Sequence, residues 1–225
     1  MPVTELSATS QYYLKAVWGL SEWSDEPVTA TAIANRVGVK LSSASDAIKK
    51  LTDQGMLKHV RYGSVALTPV GRKIAIAMVR RHRLLETFLV EALGYRWDQV
   101  HEEAENLEYA VSDFFVSRID NFLGHPSRDP HGDPIPQPDG TVDKPDAVPL
   151  IEIAEGQRIK VERVKDADPK LLQFFEEQGV GYASELTVLS PPPFSQTTQV
   201  KIAETGQTLT LGKTAAEAVW VSVIN

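Results

Sequence analysis

Between residues 29 and 68 the chain changes its hydrophobic period twice, which leaves few folds open. Residues 29–37 (TATAIANRV) place apolar side chains at helical spacing and stop at Gly38; residues 42–54 (SSASDAIKKLTDQ) repeat the pattern and stop at Gly55. Two short helices joined by a tight glycine-containing turn form a helix-turn-helix. Residues 57–68 (LKHVRYGSVALT) then alternate around Tyr62-Gly63, the signature of a β-hairpin. An amphipathic helix precedes them, with Tyr13, Leu14, Val17, Trp18 and Leu20 on one face and Ser10 as its expected cap. Helix, helix-turn-helix and hairpin in this order make a winged helix.

Charge is distributed unevenly. The formal net charge is −7, yet residues 1–75 hold nine Lys/Arg against six Asp/Glu, while residues 76–140 hold six against twelve. A mildly basic head on an acidic body suggests an anion-facing N-terminal part and a cation-facing remainder. The second helix of the pair carries Ser42, Ser43, Ser45 and Asp46 in its first turns, then Lys49 and Lys50. Short polar side chains at a helix start can approach base edges, and helix-borne lysines can grip phosphates. Arg61 on the hairpin is a further phosphate candidate. Three-helix units also serve as protein-binding modules, so the residues alone leave both readings open.

Beyond the hairpin, residues 70–94 read as one long helix and residues 97–121 as another. Residues 125–146 (HPSRDPHGDPIPQPDGTVDKPD) hold six prolines, which reads as a linker without a core of its own. Residues 157–164, 185–189, 199–202, 208–211 and 218–224 are short apolar or alternating runs, interrupted by a helix at 168–178. They predict a small, mostly β, barrel-like C-terminal domain. Domains are therefore expected at 1–73 (winged helix), 74–124 (helical), 125–147 (linker) and 148–225 (β-rich). With no cysteine, the chain has no disulfide, thiolate zinc site or Cys nucleophile, which fits a cytoplasmic protein. No signal peptide is visible, and no apolar run reaches the roughly 18 residues of a membrane span.

The acidic middle region carries the metal chemistry. His82 and Glu86 are spaced i, i+4 on the first long helix; His101, Glu105 and Glu108 follow i, i+4, i+7 on the next, with Tyr109 beside them. Imidazole and carboxylate on adjacent helices can enclose a divalent cation, and without a sulfur donor Mn²⁺ or Fe²⁺ suits the set better than Cu(I). Solvated acidic faces are the plainer alternative. The motifs HExxH, GxSxG, the P-loop and GxGxxG before a helix are all absent.

The segments SQYYLKAVW, RYGSVALT, MVRRHRLLE, VHEEAENLEYAVSD and DPHGDPIP occur in an order that resembles the diphtheria-toxin-repressor family of metal-dependent transcriptional regulators. The likeness is strongest to its manganese-responsive actinobacterial branch and covers essentially the whole chain. It implies a mainly α N-terminal two-thirds, made of a winged helix-turn-helix and a helical dimerisation and metal domain, followed by a small β-rich SH3-like domain. It also implies a homodimer that binds a palindromic double-stranded DNA operator when loaded with Mn²⁺ or Fe²⁺, and represses genes of metal uptake and homeostasis.

By the same resemblance, His82, Glu86 and His101 match an ancillary metal site, with Asp166 or Asp168 of the third domain as an oxygen ligand. Glu105 and Glu108 match two ligands of a primary site. Tyr12 and Tyr109 stand where relatives carry other primary-site residues. A phenol is a poor ligand for Mn²⁺ or Fe²⁺ near neutral pH. The primary site is then lost, with both rings as packing; or rebuilt on Glu105 and Glu108 with His82 or water; or made of phenolates around a harder ion such as Fe³⁺. The reading is a non-enzymatic repressor. Its rivals are a family member that binds DNA with little metal control and a metal-dependent hydrolase.

Overall fold

The computed structural model describes residues 6–60, 63–192 and 194–224, so the expected hairpin contact Arg61 lies outside the described residues. The chain folds as two bodies: residues 1–82, 108–116 and 136–142 form the first, and residues 83–107, 117–135 and 143–225 the second.

In the first body, α1 (Ala8–Glu22) buries Tyr13, Leu14, Val17 and Trp18. Its cap is Ser7 rather than Ser10: the Ser7 hydroxyl accepts the Ser10 N–H at 3.3 Å, and Ser10 lies inside the first turn. Helix α2 (Ala30–Val37) starts at Thr29, whose hydroxyl accepts the Ala32 N–H, and ends at Gly38 with φ of 73°. Helix α3 (Leu41–Asp53) buries Ala44, Ile48 and Leu51. Strands β1 (Leu57–His59) and β2 (Val65–Leu67) pair antiparallel, with Leu57 opposite Leu67. Their apolar residues join one core with α1, α2, α3 and the start of α4.

Helix α4 (Pro69–Leu93) is one continuous element whose residues up to 82 belong to the first body and from 83 to the second. Thr68 opens it, its hydroxyl accepting the Gly71 N–H at 3.1 Å and donating to the Gly55 carbonyl at 2.7 Å.

The second expected long helix is two: α5 (Val100–Glu108) and α6 (Asp113–Phe122). The sequence contains the reason. Ser112 caps α6 by accepting the Phe115 N–H, while Arg81 donates to the Glu108 carbonyl at 2.9 Å and pairs with Asp113. One guanidinium thus serves the end of α5 and the start of α6.

The second body contains a six-stranded antiparallel sheet in the order β3-β8-β4-β5-β6-β7. Its strands are β3 (Val148–Pro149), β4 (Arg158–Val164), β5 (Glu185–Leu189), β6 (Thr198–Ile202), β7 (Thr208–Leu211) and β8 (Val219–Val223). Helices α7 (Pro169–Glu177) and α8 (Lys213–Ala218) cover it, sending Leu172, Phe175 and Ala216 into a core with Ile159, Val161 and Val219. The proline-rich stretch is more than a tether. Asp129, His131, Asp133 and Ile135 are buried, and residues 127–135 form a closed turn with Asp129 N–H bonded to the Asp133 carbonyl and Ile135 N–H to that of Ser127.

Gly71 provides a test of the first body's packing. A Cβ there would sit 2.0 Å from the Met56 carbonyl oxygen, backbone against backbone. Gly71→Ala is expected to destabilise the protein by about 1–3 kcal/mol through forced separation of α4 from the hairpin base. Denaturant unfolding checks this, and an unchanged midpoint would contradict the packing described.

Candidate metal centre and nucleic-acid face

Within the second body four side chains from four separate segments converge: Glu86 from α4, His101 from α5, His131 from the proline-rich turn and Asp166 just after β4. His101 Nδ1 lies 3.2 Å from Glu86 Oε1 and 3.1 Å from Asp166 Oδ2. His131 Nδ1 lies 3.9 Å from Glu86 Oε2, and ligand atoms of Glu86, His131 and Asp166 all fall within 4.8 Å of one another. Glu105 stands at the rim, 3.7 Å from His101 Nε2.

The turn that delivers His131 is rigidly built. Asp129 Oδ1 accepts the N–H groups of His131 and Asp133, both at 2.9 Å. Gly132 has φ of 93°, and a Cβ there would meet the Glu162 carbonyl at 2.2 Å, so only glycine fits. Arg83 donates to the Pro134 carbonyl at 2.7 Å, Arg163 pairs with Asp133 at 3.0 Å, and Val164 N–H bonds to the His131 carbonyl. The His131 ring stacks on Trp97 and its Nε2 lies 2.8 Å from the Trp97 carbonyl. A carbonyl only accepts, so Nε2 carries hydrogen. That leaves Nδ1, wholly buried and without a hydrogen-bond partner, facing the carboxylates.

The electrostatics call for positive charge. Burial opposes a proton on His101, but the hydrogen bonds and charges of Asp166 and Glu86 outweigh it and lift the imidazole to about 10. On His131 burial is likewise overcome, by Glu86, Asp129 and Asp166. Burial, with Asp133 and Glu86 as neighbours, raises the Asp129 carboxyl to about 8. An orphaned imidazole nitrogen beside two carboxylates and a second imidazole is a mixed nitrogen and oxygen donor set that fits a divalent cation of the Mn²⁺ or Fe²⁺ kind.

Asp168 stands apart from these four. Asp168 caps α7, accepting the Lys170 N–H at 2.9 Å, and is exposed. In the first body Glu108 is buried against Lys15 and His82: Lys15 Nζ lies 2.9 and 2.8 Å from the two carboxylate oxygens, and His82 Nδ1 lies 2.7 Å from Oε2. Tyr12 and Tyr109 belong to this body too, both partly buried. On α3, Ser42, Ser43, Ser45, Asp46, Lys49 and Lys50 are all exposed, opposite the buried Ala44, Ile48 and Leu51. Sequence reading passed over His131 and Asp129. The signal available was a histidine between two aspartates in DPHGD, submerged in a proline count.

Residues 5–65 match the family described as iron dependent repressor, N-terminal DNA binding domain, and residues 68–137 its metal binding and dimerisation domain; residues 148–223 match the FeoA domain. The iron-dependent repressor IdeR of Mycobacterium leprae (strain TN) is 30% identical over 203 residues, 84% of this chain and 87% of that protein. The chain belongs to the iron-dependent repressor family. The diphtheria toxin repressor of Corynebacterium glutamicum is 27% identical over 98% of both chains. Among solved structures, a manganese-dependent transcriptional repressor in complex with manganese is 50% identical, with 96% of this chain and 100% of that one covered at a TM-score of 0.91. The neighbour described as the manganese regulator SloR is 31% identical at a TM-score of 0.78, with 96% of this chain and 98% of that one covered. Members are metal-dependent transcriptional repressors, so this chain is a DNA-binding regulator and not an enzyme, and the hydrolase reading falls away. Among the described residues no helix is long and apolar enough to cross a membrane.

Asp129 lends itself to a stability test. Asp129→Ala leaves two buried N–H groups without acceptors and is expected to cost about 2–4 kcal/mol. Asp129→Asn keeps the accepting oxygen and matches a carboxyl that burial holds near neutrality, so its cost should stay within about 1 kcal/mol. Paired denaturation curves in chelator decide it; equal losses would refute the turn's dependence on Asp129 Oδ1.

Proposed function

We propose that Glu86, His101, His131 and Asp166 form the regulatory metal site of this repressor, loaded with Mn²⁺ or Fe²⁺, and that the exposed face of α3 reads the operator. The observation that carries the metal assignment is the buried His131 Nδ1, held by a fixed turn and facing two carboxylates without a hydrogen-bond partner. Buried polar atoms are mostly hydrogen-bonded, and this one stands beside two carboxylates, where a bound cation would complete it. When bound, the ion supplies the positive charge the carboxylates otherwise draw onto the imidazoles. Metal control is then linkage: the ion favours the DNA-binding state by as much as that state binds it more tightly.

The chain acts as a homodimer on a palindromic operator in the cytoplasm, where it represses genes of metal uptake and homeostasis. Exposed Phe114 and Phe115 at the start of α6 support an apolar surface for the second copy. The exposed hydroxyls of Ser42 and Ser43 at the start of α3 suit base edges, and Lys49 and Lys50 suit phosphates.

Mn²⁺ calorimetry and binding to a duplex selected from a random library by the Mn²⁺-loaded protein test these assignments. His131→Ala or His101→Ala should remove the ion and the metal dependence of DNA binding. Retention of wild-type stoichiometry and affinity in both variants would overturn the site. Lys50→Ala should weaken binding to every duplex and lower the salt slope by about one unit or less, whereas Ser42→Ala should blur discrimination among sequences. Unchanged binding in both would remove α3 from the interface.

A further inference from the structure

The family resemblance places a second metal position around Glu108, and the residues there do not fit one. Glu108 is fully buried, and the centre of its surroundings is filled by the Lys15 ammonium. Lys15 reaches it from α1 with only a tenth of its side chain exposed, and lies 3.1 Å from His82 Nδ1 in addition to its two contacts with the carboxylate. Among the described residues, the Glu108 carboxylate holds that ammonium with both of its oxygens. A divalent ion added here would sit against a tethered positive charge in a buried setting and compete with it for Glu108. Bulky Tyr12 and Tyr109 belong to the same body, both partly buried.

We propose that Lys15 is a built-in cation that stands in for the metal in the first body, tying α1 to α4 and to the end of α5 whether or not metal is present. The DNA-binding body then needs no ion for its own integrity. Metal enters the protein through the second body alone, at one ion per chain. This rests on the regulatory site assigned to Glu86, His101, His131 and Asp166, and the experiment below separates the two.

The measurement is bound Mn²⁺ per chain by elemental analysis after dialysis, with melting temperature in chelator and in Mn²⁺. Wild type should hold one ion, and Glu108→Gln should hold the same one. Lys15→Glu replaces the ammonium by a carboxylate facing Glu108 and His82. It should melt lower than wild type in chelator, recover in Mn²⁺, and hold two ions. Lys15→Met leaves Glu108 uncompensated and should also melt lower in chelator, and adding Glu108→Gln should restore much of the loss. In a His131→Ala background the Lys15 protein should hold no ion and Lys15→Glu one. An ion that persists in His131→Ala and is lost in Glu108→Gln would overturn the role of Lys15. So would a Lys15→Glu protein that holds no more Mn²⁺ than its parent in either background. Should Lys15→Glu fail to fold even in Mn²⁺, Lys15→Met decides: melting at the wild-type temperature in chelator refutes the proposal, and a drop relieved by Glu108→Gln supports it. An ion that persists in His131→Ala and is indifferent to Glu108→Gln counts against the regulatory site and leaves one ion per chain outside the Lys15 position, as proposed.

Discussion

Helix α4 carries Arg81, His82, Arg83 and Glu86 into the interior, and each has to be answered where it stands. Uncompensated, a buried ion costs several kcal/mol. Arg81 is met by the Glu108 carbonyl and Asp113, His82 by Glu108, and Arg83 by Asp133 and the Pro134 carbonyl. Glu86 is met by His101 and His131. These pairings decide where α5 ends, where α6 begins and why a proline-rich segment is buried. Hydrophobic burial supplies the bulk of the driving force in both cores, but the polar run on α4 sets the positions of the elements around it.

The two bodies meet a similar demand in different ways. In the second, the excess of carboxylate is offset by protons on imidazoles, an arrangement a divalent ion can displace and later leave. In the first, the offset is an ammonium attached to the chain, which neither arrives nor departs. With the sites as proposed, such a regulator has one exchangeable charge and one permanent one. Response and structural integrity are thereby separated.

Much of the fold was legible because it depends on local rules. The periods of α2, α3, α4 and all five longer strands, and the glycine stops at Gly38 and Gly55, can be read from neighbouring residues; Asp168 offered itself as a ligand and proved to be the α7 cap. Ser7 and Ser10 both suit a cap, and only the course of the backbone selects Ser7. The break between α5 and α6 was missed because its decisive partner, Arg81, lies far upstream. Of the candidate site, Glu86, His101 and Asp166 were within reach through helical spacing and family resemblance. His131 was not, since proline content reports the lack of a regular element and says nothing of an aspartate-locked turn. Lys15 was hidden for a similar reason: a lysine on an amphipathic helix reads as surface, and the carboxylate that buries it comes 93 positions later.

The most direct test is anomalous scattering from crystals grown in Mn²⁺, which locates and counts the ions independently of any assay. The account predicts one strong peak per chain, ligated by Glu86, His101, His131 and Asp166, with the Lys15 ammonium still seated on Glu108. A peak held by Glu108, or none beside His131, would contradict it.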